Sequence, residues 1–437
     1  MPRELIEGTE LNTMLGCKVY IEKKIGSGAQ GDVYLVAYEG RQMALKWYNL
    51  DKIYDIEAFV KNLKRNIRNG APSRDFLWPL DMTDYYEGTF GYIMDLYPKD
   101  YWEAKEFLVG NVDFPSYRRR VDACLNIVSA FRLLHANGYS YCDLSASNFV
   151  IDPATGKVLI YDNDNVTLNN NETGVLGTLS YMAPEIIMRR SLPNTYSDRY
   201  SLAVFLYRML LGPHPLEGRR SENTVLDTTV RRELFGTQAI FAMDPYDTSN
   251  APNPQTQGEL LRLWQQLPGH LRSTFERAFS QESLHDPYMR PIEVDWLSSL
   301  TRLRSEIVRC ECGNEVCCAD GRPMRCDCGR VVRAPFIAHV HGITLPVSRD
   351  MRVYRCQLGG AKQSEALDLV AWTIGSLDDP HVLGIRNMGE APWRVRDPHY
   401  GSYYLPKDDV QEVEDGVMLE IPKVTGYERV TFERNAY

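Results

Sequence analysis

Gly26-Ser27-Gly28-Ala29-Gln30-Gly31 has the G-x-G-x-x-G spacing of a loop that closes over phosphates, where glycines lacking side chains let backbone N–H groups approach the oxygens. That spacing has several uses, and the residues that follow separate them. A dinucleotide site needs a helix straight after the glycines. Here Val33-Tyr34-Leu35-Val36 reads as a strand, Glu39-Gly40-Arg41 as a turn and Met43-Ala44-Leu45-Lys46 as a second strand. The loop is therefore expected at a hairpin tip, with Val33 packed on a nucleotide base and Ala44 in the same site. Lys46 ends an apolar strand and needs an anionic partner, which α- and β-phosphates supply. A carboxylate on the next helix, expected over residues 53–69, would steady the ammonium. Glu57 is the candidate, Asp55 its competitor, and an ordinary solvated face the alternative to both.

Farther on, Val121, Cys124, Leu125, Val128, Phe131 and Leu134 recur at spacings of three and four, marking a core-facing helix that stops at Asn137-Gly138. Beyond it come Tyr141-Cys142-Asp143-Leu144-Ser145-Ala146-Ser147-Asn148, a strand, and Tyr161-Asp162-Asn163-Asp164. Asp143 and Asn148 stand as in the H-R-D-L-x-x-x-N loop, Asp162 as in D-F-G, and Lys46 as in V-A-I-K. Gly177 to Glu185, Asp198 to Leu202 and Asp286 to Pro291 continue the series in family order.

On these motifs residues 20–305 resemble a bacterial eukaryotic-type (Hanks-type) serine/threonine protein kinase. Finer details, such as Tyr-x-Asp-Leu-Ser and Asp-Asn-Asp, resemble kinases associated with von Willebrand A-domain proteins and PP2C-type phosphatases, which would then be its partners. The resemblance implies an α+β, bilobal fold with an N-lobe over 20–94, a C-lobe over 98–305 and an N-terminal extension over 1–19. It also implies transfer of the ATP γ-phosphate to Ser/Thr hydroxyls of a protein, by autophosphorylation or on an associated partner. Asp143 would be the base, Asn148 and Asp162 the Mg2+ (or Mn2+) ligands, and the Asp95 carbonyl and Tyr97 amide would face adenine. Thr178 would contact Asp143, Asp198 the catalytic-loop backbone, and Glu185 would pair with Arg290.

The pattern departs at several positions. Tyr141 and Cys142 replace histidine and arginine, removing the arginine that receives an activation-loop phosphate. Activity is therefore expected without phosphorylation of Thr173, Thr178 or Ser180, and Cys142 is expected simply to pack. Ser145 replaces a lysine on the transferring phosphate. Asp164 replaces the third-position glycine, either carrying a positive φ that suits it less or touching a second magnesium. These changes keep open a pseudokinase-type ATP-binding scaffold. A small-molecule kinase is a third reading, against which Thr178 and Ala183-Pro184-Glu185 argue.

Cys310-Glu311-Cys312-Gly313 and Cys326-Asp327-Cys328-Gly329 form two C-x-C-G knuckles suited to one tetrahedral, structural zinc. Cys317 and Cys318 remain alternative ligands, and Arg309, Arg325 and Arg330 can offset the charge of four thiolates. A zinc ribbon over 306–335 is expected, because so short a unit cannot bury enough apolar surface alone. Residues 336–437 alternate apolar and polar positions, as a small β-sandwich or barrel acting as an interaction or regulatory domain would. The chain has 437 residues, ten cysteines and a formal net charge of −9. That balance argues against nonspecific nucleic-acid binding. The first residues hold no secretory apolar run and no stretch approaches a bilayer span, so a cytoplasmic protein without a membrane contact is expected.

Overall fold

The computed structural model describes residues 4–169, 174, 176–222, 224–359, 365–376, 379 and 382–436; Thr173 lies outside them. The first lobe is a six-stranded antiparallel sheet in the order β1-β2-β3-β4-β6-β5, made of β1 (Glu10–Asn12), β2 (Lys18–Ser27), β3 (Gly31–Tyr38), β4 (Arg41–Tyr48), β5 (Asp81–Met82) and β6 (Gly91–Met94). Helix α1 (Ile56–Asn69) interrupts the sheet and is capped by Asp55, whose side chain accepts from the Ala58 amide. Strand alternation sorts β4. Met43, Leu45 and Trp47 face one apolar cluster, while Ala44 and Tyr48 join Phe59 and Leu63 of α1 in another. Lys46 therefore shares the α1-facing side.

The second lobe is helical around α2 (Tyr117–Ala136) and α3 (Thr195–Leu211). Ser116 caps α2 by accepting from the Arg119 amide, and the helix ends before Gly138 at φ +78°. Asn194 and Ser197 form a capping box on α3. The long closing helix α4 (Glu293–Glu306) buries Trp296, Leu297, Leu300 and Leu303 in the same core.

Two small hairpins follow, and then a sandwich of two antiparallel sheets. The larger has six strands in the spatial order Ile343–Val347, Phe336–Val340, Tyr427–Arg434, Met418–Pro422, Trp393–Asp397, Gly401–Leu405, and the smaller has four. The inner faces share a core that includes Val340, Leu345, Trp393, Val395 and Val430. The C-terminal region is thus β-rich. Among the described residues, no helix is long and apolar enough to cross a membrane.

Candidate active site

β2 and β3 form the expected hairpin, with Gly28 N–H donating to the Gly31 carbonyl at 2.7 Å across its tip. Gly31 lies so close to β4 that a Cβ there would stand 2.0 Å from the Trp47 carbonyl oxygen, so any side chain would push the loop off the sheet. Gln30 is fixed through its carbonyl, which accepts from Asn49 N–H at 2.8 Å. Val33 pairs in register with Lys46. Asp95 and Tyr97 follow β6 at the exposed link between the lobes, and the Tyr97 ring stacks on Tyr161, with centroids 6.1 Å apart.

Lys46 is buried and spans the lobes. Its Nζ donates to Asp162 Oδ1 at 2.6 Å and to Asp164 Oδ2 at 2.9 Å. Burial by itself would lower the lysine pKa, but Asp164 and Asp162 outweigh it, and the net shift is upward. Tyr48 donates to the same Asp164 oxygen at 2.6 Å, and burial together with that carboxylate holds its phenol protonated.

The helix carboxylate expected beside Lys46 is elsewhere. Glu57 is exposed on α1, and Asp55 is occupied as the cap. In their place α1 directs asparagines at the segment after Asp162: Asn62 Nδ2 donates to the Val166 carbonyl at 2.8 Å, and Asn66 Nδ2 to the same carbonyl at 2.7 Å. Asn163, where the family has phenylalanine, is buried and donates to the Leu77 and Ile160 carbonyls, each at 2.8 Å. The positive φ expected at Asp164 falls instead on Asp162, at +62°. Cys142 carries another, at +72°. Both are αL positions of non-glycine residues, a strain that clusters at functional sites.

Asp143 lies across the cleft in the second lobe. Its Oδ1 accepts from the Thr178 hydroxyl at 2.9 Å and its main-chain carbonyl accepts from Asn148 Nδ2 at 2.7 Å. Burial raises the Asp143 pKa, and the Thr178 hydrogen bond works against that rise. Ser145 is buried, with Oγ 3.4 Å from Asn148 Oδ1, so it leans on the neighbouring asparagine instead of reaching outward as a lysine would. The loop hangs on Asp198, which accepts from Tyr141 N–H at 2.6 Å and Cys142 N–H at 3.0 Å. Cys142 packs in the interior beside Ser140. Glu185 and Arg290 form the anticipated pair, two parallel contacts of 2.8 and 2.7 Å.

Tyr48, Asn62, Asn66 and Asn163 escaped the sequence reading, though the first three left a signal. Tyr48 follows Lys46 by two on one strand face, and two asparagines four apart on a helix are poor helix formers sharing one side.

A two-lobed arrangement with a glycine-tipped hairpin, a strand lysine reaching an aspartate of the opposite lobe, and a second aspartate braced by an asparagine defines a phosphotransfer fold of the protein kinase class. The family comparison agrees: residues 19–289 match the protein kinase domain, and the chain belongs to that family. Similar proteins include one from Encephalitozoon cuniculi named "Probable cAMP-dependent protein kinase catalytic subunit". It is 31% identical over 206 residues, covering 44% of this chain and 60% of that one. Ribosomal protein S6 kinase alpha-4 of Homo sapiens is 28% identical over 224 residues, covering 46% and 27%. Serine/threonine-protein kinase sck2 of Schizosaccharomyces pombe is 25% identical over 214 residues, covering 44% and 31%. The matched regions span 60% or less of these relatives' own lengths.

Outside the kinase lobes, the Sγ atoms of Cys310, Cys312, Cys326 and Cys328 lie within 4.8 Å of one another. Cys310 and Cys328 are 3.7 Å apart, Cys312 and Cys326 3.6 Å. Four sulfurs about 2.3 Å from a tetrahedral zinc would be about 3.8 Å apart, so the donor set fits that ion. Gly313 and Gly329, at φ +97° and +89°, turn the two knuckles toward each other. Cys317 and Cys318 are buried apart from this group, beside Glu306 and the Val332 carbonyl.

Proposed function

We propose that the protein is an ATP- and magnesium-dependent protein kinase that transfers the γ-phosphate to serine or threonine hydroxyls, on itself or on an associated protein. The observation that carries this is the 2.6 Å contact between Lys46 and Asp162 across the lobes, which converges a phosphate-binding cation and a hard oxygen ligand at the mouth of the glycine hairpin. Lys46 binds the α- and β-phosphates, Asp143 takes the proton of the attacking hydroxyl, and Asn148 and Asp162 hold magnesium, whose charge offsets that of the phosphates. Gly26 to Gly31 cover the phosphates, and the Asp95 carbonyl and Tyr97 amide receive adenine. The four knuckle cysteines bind one structural zinc. The narrower motif resemblance supports a von Willebrand A-domain protein and a PP2C-type phosphatase as partners in a bacterial cytoplasm.

A second reading, an ATP-binding scaffold that recruits partners through the cysteine and β modules, draws on Ser145, which is neutral, buried and turned to Asn148. Transfer from labelled ATP by the wild type and by Asp143→Ala separates them. A kinase shows transfer that Asp143→Ala abolishes, while a scaffold binds ATP with no transfer in either.

A further inference from the structure

Lys46 sits in a site where an unpaired ammonium would be costly, and its expected anchor on α1 is missing. The only acid of α1, Glu57, is exposed. Asp164 is fully buried and meets both Lys46 and Tyr48 through one oxygen, so its carboxylate cannot rotate away without breaking two contacts. Its turn is tied from both sides, by Asn163 to Leu77 and Ile160 and by Asn62 and Asn66 to Val166.

We propose that Asp164 is the positioning residue for Lys46, taking the part that a carboxylate on the helix plays elsewhere in the family. The proposal rests on the kinase reading and deepens it. Lys46 has two anionic partners before nucleotide arrives. When Asp162 turns to magnesium, Asp164 remains to hold Nζ toward the phosphates. The lysine's anchor and the metal ligand then lie on one turn, two residues apart, and the order of the site depends on that turn rather than on a swing of α1.

The test uses the full chain with Asp164→Asn, Asp164→Gly and Glu57→Gln, the last altering a carboxylate that the structure leaves in solvent. Two quantities are read: the rate at which an amine-acylating reagent modifies Lys46 in nucleotide-free protein, followed by peptide mass spectrometry across pH, and kcat and KM for phosphate transfer from ATP. Both Asp164 variants are expected to modify Lys46 at least about tenfold faster, since the ammonium loses the 2.9 Å contact that holds it away from the reagent. They should also lose about 10²-fold in kcat, as when one preorganised charge is removed. Glu57→Gln should match the wild type in both. Wild-type modification rates in the Asp164 variants, or a Glu57→Gln protein that reproduces the loss, would overturn the proposal. If Asp164→Asn does not fold, Asp164→Gly decides, since glycine adds no bulk. A wild type that transfers no phosphate would sink the kinase reading alone, because the modification rates still report on Asp164.

Discussion

Arg304 on the last turn of α4 donates through Nε to Asp122 Oδ1 of α2 at 2.8 Å, and both side chains are buried. The same guanidinium donates through Nη2 to Asp350 of the sandwich at 2.9 Å. Arg118 extends the cluster, with Nη1 3.5 Å from Glu315 beside the cysteine knuckles. The C-terminal modules are therefore bonded into the kinase lobe through charge pairs in which Arg118, Arg304 and Asp122 are buried and Asp350 is part-exposed.

Arg304→Ala should accordingly destabilise the lobe by about 1.5–3 kcal/mol, the worth of hydrogen bonds to charged groups, since Asp122 keeps Arg119 at 2.9 Å and Asp350 keeps Arg352 at 3.4 Å. Urea unfolding followed by tryptophan fluorescence measures it. A chain ending at residue 335 should also unfold at lower urea, since it loses Asp350. Equal midpoints for truncated and full chains would show that the Asp350 contact contributes nothing.

Elemental analysis should find one zinc per chain. Cys326→Ser should abolish binding, whereas Cys317→Ser, whose sulfur lies by Glu306, should retain it. Chelation should unfold the knuckles and lower the melting temperature while ATP-dependent transfer persists. Two zinc atoms, or none, would refute the four-sulfur site.

Much of this molecule is written in local patterns. The glycine hairpin, the strand ending in Lys46 and the spacing of Asp143 and Asn148 are short-range signals, and the Glu185–Arg290 pair follows from motifs in family order. The partner of Lys46 was not legible in the same way. A helix carboxylate was expected because the family pattern supplies one, but choosing between Glu57 and Asp164 depends on the rotation of α1, and packing of Phe59 and Leu63 against Tyr48 fixes that rotation. Burying those two residues turns Asn62 and Asn66, not Glu57, toward the turn after Asp162. The Arg304 cluster was hidden for a related reason. It joins residues 182 apart, and a charged residue in a helix pattern reads as solvated until its neighbours are known.

Thr178 gives a prediction that joins loop state to pH. Its hydroxyl stabilises the charged form of Asp143, which burial disfavours. Thr178→Val removes the donor, so the Asp143 pKa should rise further and the acid limb of kcat/KM should move to higher pH. A loss of about 10-fold at neutral pH is expected, less than the roughly 10²–10⁴-fold that a positioned acid–base group contributes, because Asp143 itself remains. Phosphatase-treated wild type should remain active, because Cys142 stands where a phosphate-binding arginine would be. An inert treated protein that revives on phosphorylation would refute that independence.

His135 offers the sharpest pH signature of stability. It is buried between Glu293, 2.8 Å from Nδ1, and Asp198, 3.1 Å from Nε2, and Asp198 in turn holds the catalytic loop. Burial would lower its pKa, but the two carboxylates prevail and raise it to about 9. A raised folded-state pKa stabilises fully below the unfolded value, about 6.5, and that contribution fades as pH climbs through 9. Glu293, lowered to about 2 against the effect of burial by His135 and Arg199, has the opposite window: its contribution holds above the usual carboxylate range and fades as pH falls through 2. Between pH 6 and 9 the wild type should therefore lose up to about 3 kcal/mol that His135→Gln lacks from the outset, since each pKa unit is worth about 1.4 kcal/mol. Denaturant midpoints for both proteins at these two pH values measure the difference. Parallel losses in the two proteins would mean that His135 is neutral in the fold and that Asp198 holds the catalytic loop without a cation beside it.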